Sequence, residues 1–150
     1  MSRISFTYHV IWRTKRSEMT INEEHETELY RYINGICKGK NSKLYRINSM
    51  PDHVHMCVAV SPTIAFSEFM QVVKQESSKW MKSHPEWFPK FDSWGEGYAA
   101  FSYSVKDRPT IIKYVMNQKA HHKKKTFRKE YEDFLREFGI DPTTDLFLRD

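Results

Sequence analysis

Two short stretches carry side chains whose types and spacing could do chemistry together. The first is "MPDHVHMCVAV", Met50 to Val60, with His53 and His55 two residues apart. Alternation reads it as a strand, so His53, His55, Cys57 and Ala59 point to one face and Val54, Met56, Val58 and Val60 to the other. Two imidazoles side by side on a rigid strand can grip a metal ion or a phosphate. The plainer reading, two histidines on a solvated sheet face, weakens because the rest of the strand is apolar. The second stretch, "TIIKYVMNQKAHHKKK", reads as a helix in which Tyr114 and Gln118, four apart, share one face. Taken singly, Tyr114 is a boundary residue of an amphipathic helix and Gln118 an exposed polar one.

Together they support more. His53, His55 and the Gln118 amide oxygen could provide three ligands to one divalent ion, and this nitrogen and oxygen set suits Mg²⁺ or Mn²⁺ acting on a phosphate. Tyr114, one turn from Gln118, would then place its phenolate near the bound phosphate. The ion polarises the phosphoryl group. A tyrosine nucleophile keeps the energy of a broken phosphodiester in a covalent phosphotyrosine, which permits strand transfer without an external energy source.

The elements that must position these groups follow in order. Ile4 to Lys15 is rich in β-branched and aromatic residues and reads as a strand. Thr20 to Glu23 has the form of a capping box, opening a helix to about Lys38 that Gly39 ends. Lys43 to Asn48 is a second strand, joined by a tight connection at Ser49 to Asp52 to the histidine strand as an antiparallel hairpin. A helix from Ile64 to Ser83 buries Ile64, Phe66, Phe69, Val72, Val73 and Trp80 and leaves Lys74, Lys79 and Lys82 outside. His84 to Gly97 is a loop, and Tyr98 to Val105 a fourth strand. The tyrosine helix starts with Asp107 as N-cap and Pro109 in its first turn and runs to about His122. "FRKEYEDFLREFGI" makes a last short helix.

This order, β-α-β-β-α-β with added helices, predicts an α+β fold: a ferredoxin-like antiparallel sheet with helices on one face and a C-terminal catalytic helix added. In such a sheet the first and third strands are central neighbours, which puts the histidines in mid-sheet. The 150 residues suit a single domain, with a core of about 4–122 and a basic extension of about 123–150.

Composition narrows the classes. Lys and Arg number 24 against 19 Asp and Glu, a formal +5 that is compatible with a polyanionic partner. Aromatics are 15% of residues, several beside Lys or Arg, which suits base stacking as well as ordinary packing. Cys37 and Cys57 match no zinc or redox spacing. The opening stretch alternates in polarity, and no segment approaches the ~20 apolar residues of a membrane span. A soluble cytoplasmic protein is expected. Arg13, Lys15, Arg16, Lys74, Lys79, Lys82, Lys123, Lys124 and Lys125 are candidate contacts to the backbone of such a polyanion, which position it without reading its sequence. His9, His121 and His122 could support the site, although surface or core-edge roles suit each better.

"DHVHMCV" resembles the HUH motif, and "YVMNQ" resembles the Tyr-x-x-x-Gln helix of the single-tyrosine HUH transposases. These move the smallest bacterial insertion sequences and include the REP-associated tyrosine transposases. "YHVIWRTK" and "WGEGYAAFSYSV" extend the resemblance over most of the chain. It implies Tyr114 as the nucleophile, forming a 5′-phosphotyrosine and releasing a 3′-hydroxyl, with His53, His55 and Gln118 holding catalytic Mg²⁺ or Mn²⁺. It implies single-stranded DNA carrying a short imperfect hairpin as substrate, and a homodimer in which the tyrosine helix is often exchanged, here through Lys106 to Pro109. A domesticated relative that processes repetitive hairpins is a neighbouring possibility. The competing readings are a non-catalytic ferredoxin-like nucleic-acid-binding module and a metal hydrolase that uses water.

Overall fold

The computed structural model describes residues 2–148. Four strands, β1 (Thr7–Arg13), β2 (Lys43–Met50), β3 (His53–Ala59) and β4 (Ala99–Tyr103), form one antiparallel sheet in the order β2-β3-β1-β4. The histidine strand β3 is therefore interior, with β1 beside it, as the chain order predicts. Turn residues Pro51 and Asp52 join β2 to β3 directly. The α+β ferredoxin-like fold is present.

One face of the sheet carries the larger core. Val54, Met56 and Val58 of β3 and Val10 and Trp12 of β1 pack under α1 (Glu26–Gly39) and α2 (Phe66–Lys82). The spacing explains the docking. Leu29, Ile33 and Cys37 recur every four residues along α1, and Phe69, Val73, Ser77 and Met81 do so along α2, so each helix buries one stripe. The loop after α2 contributes Phe88, Phe91 and Trp94 to the same core.

The opposite face is also covered, which corrects the expectation of helices on one face only. It is covered by α3 (Arg108–Met116), α4 (Gln118–His121) and α5 (Phe127–Glu137). Ile111 and Val115 of α3 pack on Cys57, and Phe127, Tyr131, Phe134 and Leu135 of α5 pack on Ile11, Ala99 and Phe101. Apolar side chains on both faces of the central strands would otherwise meet water.

Local starts and stops differ from the sequence reading. The capping box at Thr20 is not used; Asn22 Oδ1 accepts from the Glu24 amide, and a 3₁₀ turn, Glu23–His25, leads into α1. Asp107 caps nothing with its side chain and instead accepts from the Ser104 hydroxyl. The tyrosine helix does not run unbroken to His122. It stops at Asn117 (φ −94°, ψ 17°), a residue type that leaves helical geometry readily, and restarts as α4.

Candidate metal and tyrosine site

β3 delivers His53 and His55 to the second face, both fully buried. Each ring is fixed through Nδ1. His53 Nδ1 lies 2.7 Å from Asp52 Oδ1 of the hairpin turn, and His55 Nδ1 lies 2.8 Å from Nε2 of His9 on β1. Such partners orient an imidazole and set its tautomer, and here both Nε2 atoms are left facing the same space.

Glu130 of α5 fills that space. Its Oε1 lies 3.7 Å from His53 Nε2, 3.0 Å from His55 Nε2 and 3.1 Å from His122 Nε2. Its Oε2 accepts from Gln118 Nε2 at 3.1 Å and from the Tyr114 hydroxyl in a short hydrogen bond. Gln118 Oε1 faces His122 Nε2 at 3.1 Å. One carboxylate thus joins the imidazoles on one oxygen to the tyrosine and amide on the other.

Burial drives the electrostatics. It pushes the His55 imidazole down to about 4, against the opposing pull of Glu130. Burial also lowers His9, reinforced by His55. It works to raise the Glu130 carboxyl, but His55, His122 and the Tyr114 hydroxyl outweigh it and hold that carboxyl well below the usual range. The Tyr114 phenol is pushed far up by burial and by the adjacent carboxylate.

The donor set fits a divalent cation. Ligand atoms of His53, His55, His122 and Glu130 all lie within 4.8 Å of one another. His53 Nε2 is buried with no hydrogen-bond partner, an orphan that a metal ion would satisfy. Three imidazoles beside a carboxylate make a mixed nitrogen and oxygen set that a divalent ion can take.

The expected site residues are therefore brought together. Tyr114, His53, His55 and Gln118 converge, although Gln118 reaches the cluster across the Asn117 break rather than along one helix. Glu130 was missed, and His122 and His9 were assigned to surface or core edge. The signal for Glu130 was a charge inside the apolar stripe Phe127, Glu130, Tyr131, Phe134 of α5. His9 shares one face of β1 with Thr7, Ile11 and Arg13, and its register opposite Cys57 puts it on the histidine face.

Two of the basic candidates need correction. Arg13 is only 2% exposed, because it pairs in register with His53 and lies under the C-terminal segment, where its Nε donates to the Phe147 carbonyl at 3.1 Å. It is not a surface phosphate contact. Lys74 does not stay outside; its Nζ donates to the Gly95 and Gly97 carbonyls at 2.8 and 2.7 Å, tying the loop before β4 to α2. Lys15, Arg16, Lys79 and Lys125 each face a carboxylate, of Asp92, Glu18, Glu76 and Asp133 respectively. Lys82, Lys123 and Lys124 are exposed.

The fold and the site together define an α+β domain with a candidate metal centre joined to a tyrosine through one carboxylate. A crystal structure assigned to the transposases, from Deinococcus radiodurans R1, superposes with a TM-score of 0.61 at 25% identity, covering 78% of this chain and 93% of that one. The REP-associated tyrosine transposase bound to a REP hairpin shares the fold, with a TM-score of 0.61 at 12% identity over 81% of this chain and 73% of its own. The family model for IS200-like transposases matches residues 2–118, and the chain belongs to that family. Among curated relatives, the ISDra2 transposase TnpA of Deinococcus radiodurans is 26% identical over 115 residues, 74% of this chain and 82% of the relative. The transposase of insertion sequence IS200 from Salmonella typhimurium is 25% identical over 77 residues, about half of each chain (51%). His122 and Glu130 lie beyond the matched segment. No helix among the described residues is long and apolar enough to cross a membrane.

Proposed function

We propose that this transposase nicks and rejoins single-stranded DNA through a 5′-phosphotyrosine on Tyr114, with a divalent ion held by His53, His55 and Glu130 and with Gln118 and His122 bordering it. The observation that carries this reading is the convergence, within one chain, of the Tyr114 hydroxyl and the histidine pair on the two oxygens of Glu130. Bound there, Mg²⁺ or Mn²⁺ would polarise the scissile phosphate and offset its charge. Tyr114 Oη attacks phosphorus and loses its proton to Glu130 Oε2, the atom it already hydrogen-bonds. The P–O3′ bond breaks as that same proton passes on from Glu130 to the leaving 3′ oxygen, which is released as a free hydroxyl while Glu130 ends as the carboxylate it began as. Rejoining is the reverse attack by a 3′-hydroxyl on the phosphotyrosine.

Tyr114 lies beside His55 and His9 of its own chain and bonds to Glu130, which supports attack within one chain. Arg108, just before Tyr114, is bonded to Thr7 Oγ1 and Ser5 Oγ and stacks 4.3 Å over Tyr45. We propose action in cis; sedimentation with and without DNA measures whether the chain also dimerises. A hairpin-bearing single strand is the substrate we propose, and the exposed lysines are its backbone contacts.

The test is the intact mass of the protein after incubation with Mn²⁺ and single-stranded oligonucleotides tiling both flanks of its gene. A mass increase matching a cleaved fragment, lost in Tyr114→Phe while DNA binding persists, is expected. Cleaved DNA without an adduct would assign the attack to water. Neither product, with binding retained, would leave a nucleic-acid-binding module.

A further inference from the structure

Beside the histidines lies an open cleft of about 630 Å³, within the range of small-ligand pockets (roughly 300–1,000 Å³). Its composition is two-sided. Met19, Met50 and Pro51 form an apolar wall, and Lys123, Lys124 and Lys125 form a basic rim. Met19 is 68% exposed, although methionine is among the residue types most often buried. All three lysines are exposed, and Lys125 is paired with Asp133 at 2.6 Å. The cleft also shares two residues with the site: Asp52, which orients His53, and His122, which faces Glu130. A phosphate at the histidine pair therefore has this cleft as its immediate neighbour.

An apolar wall beside cations matches the two halves of a nucleotide. A base can lie against thioether and proline surface, where sulfur and aromatic rings attract, and lysines take the phosphate as point charges. A nucleotide carries a flat stacking face and a negative charge in every unit, the pairing this cleft offers. We propose that this cleft holds an unpaired nucleotide adjoining the scissile phosphate, with its base against Met19, Met50 and Pro51 and its phosphate at Lys123 and Lys124. The inference rests on the single-stranded DNA reading above and adds a subsite to it.

Binding of a fluorescent oligo(dT) of about 12 nucleotides, a length within the site sizes of single-strand binders, tests it in EDTA, where no cleavage occurs. The Lys123→Ala, Lys124→Ala double variant is expected to weaken binding about fivefold or more and to reduce the salt slope by roughly 1.4, two contacts on a single strand. Met19→Ala is expected to weaken oligo(dT) by about fivefold, the low end for a lost base contact, and to leave an all-abasic strand unaffected. Both changes are at exposed residues, and circular dichroism checks that the fold persists. Unchanged affinity and slope in both variants would overturn the cleft while leaving the phosphotyrosine reading intact if adducts still form. A lysine effect without a base effect would reduce the rim to a plain backbone contact and also overturn it. No binding by the wild-type chain would remove both the cleft and the single-strand reading.

Discussion

Glu130 connects the metal-binding half of the site to the nucleophile. Buried carboxylates are rare unless their oxygens are satisfied. Here Oε1 serves the imidazoles and Oε2 serves Tyr114 and Gln118. Glu130→Gln keeps the shape and removes the charge. It should weaken Mn²⁺ binding at pH 7 by about tenfold or more, read by calorimetry, since even groups that merely support ligands cost roughly 10–100-fold when lost. Unaltered Mn²⁺ affinity would exclude Glu130 as a ligand. His9 and Asp52 do quieter work, each holding one histidine by Nδ1 so that Nε2 faces inward.

At the scale of elements, α5 both completes the site and seals the sheet. Phe134 meets His9 at 5.0 Å, Tyr114 at 5.3 Å and Phe101 at 5.7 Å between ring centroids, so one side chain supports the histidine backing, the nucleophile and β4. Phe134→Ala should cost about 3–5 kcal/mol of unfolding free energy, the usual range for a buried Phe, measured by urea denaturation. A cost below about 1 kcal/mol would mean that α5 docks by other contacts. The loop before β4 is held at one tight point: the Gly95 amide donates to the Arg13 carbonyl at 2.8 Å, and a Cβ there would sit 3.1 Å from the Thr14 carbonyl oxygen. A side chain there would need the end of β1 to give way by a few tenths of an ångström.

For the molecule as a whole, the buried imidazoles make stability depend on pH. His55 titrates near 6.5 when unfolded and is held at about 4 when folded, so between these values the unfolded chain binds more protons. Stability is fully present above 6.5 and falls as pH drops toward 4, by up to ~3 kcal/mol from this one group. Thermal melts of the metal-free protein across that window should show a steady decline, and a flat profile would place His55 in a solvated setting. Saturating Mn²⁺ should raise the melting temperature near pH 7 and lose that effect under acid, since protons compete for the same nitrogens.

The sequence alone pointed to the interior place of the histidine strand, the hairpin that carries it, the shared face of His53 and His55 and the four-residue spacing of Tyr114 and Gln118. It also pointed to part of each apolar helix stripe, Leu29 and Ile33 on α1 and Phe69 and Val73 on α2. These follow from periodicity and local spacing, which persist whatever the rest of the chain does. Along the same stripes Cys37, Met70, Ser77 and Met81 were missed, and Val72 and Trp80 are only half-buried. Local spacing was silent on the covering of the second sheet face and on the break at Asn117. It also hid the burial of Arg13 beneath Phe147 and the recruitment of Glu130 from 75 residues beyond His55. Those outcomes depend on which surfaces meet in space. A glutamate in an amphipathic helix reads as a flaw in the stripe until the opposing strand is seen to carry two histidines; only tertiary packing puts a buried charge beside the groups that satisfy it.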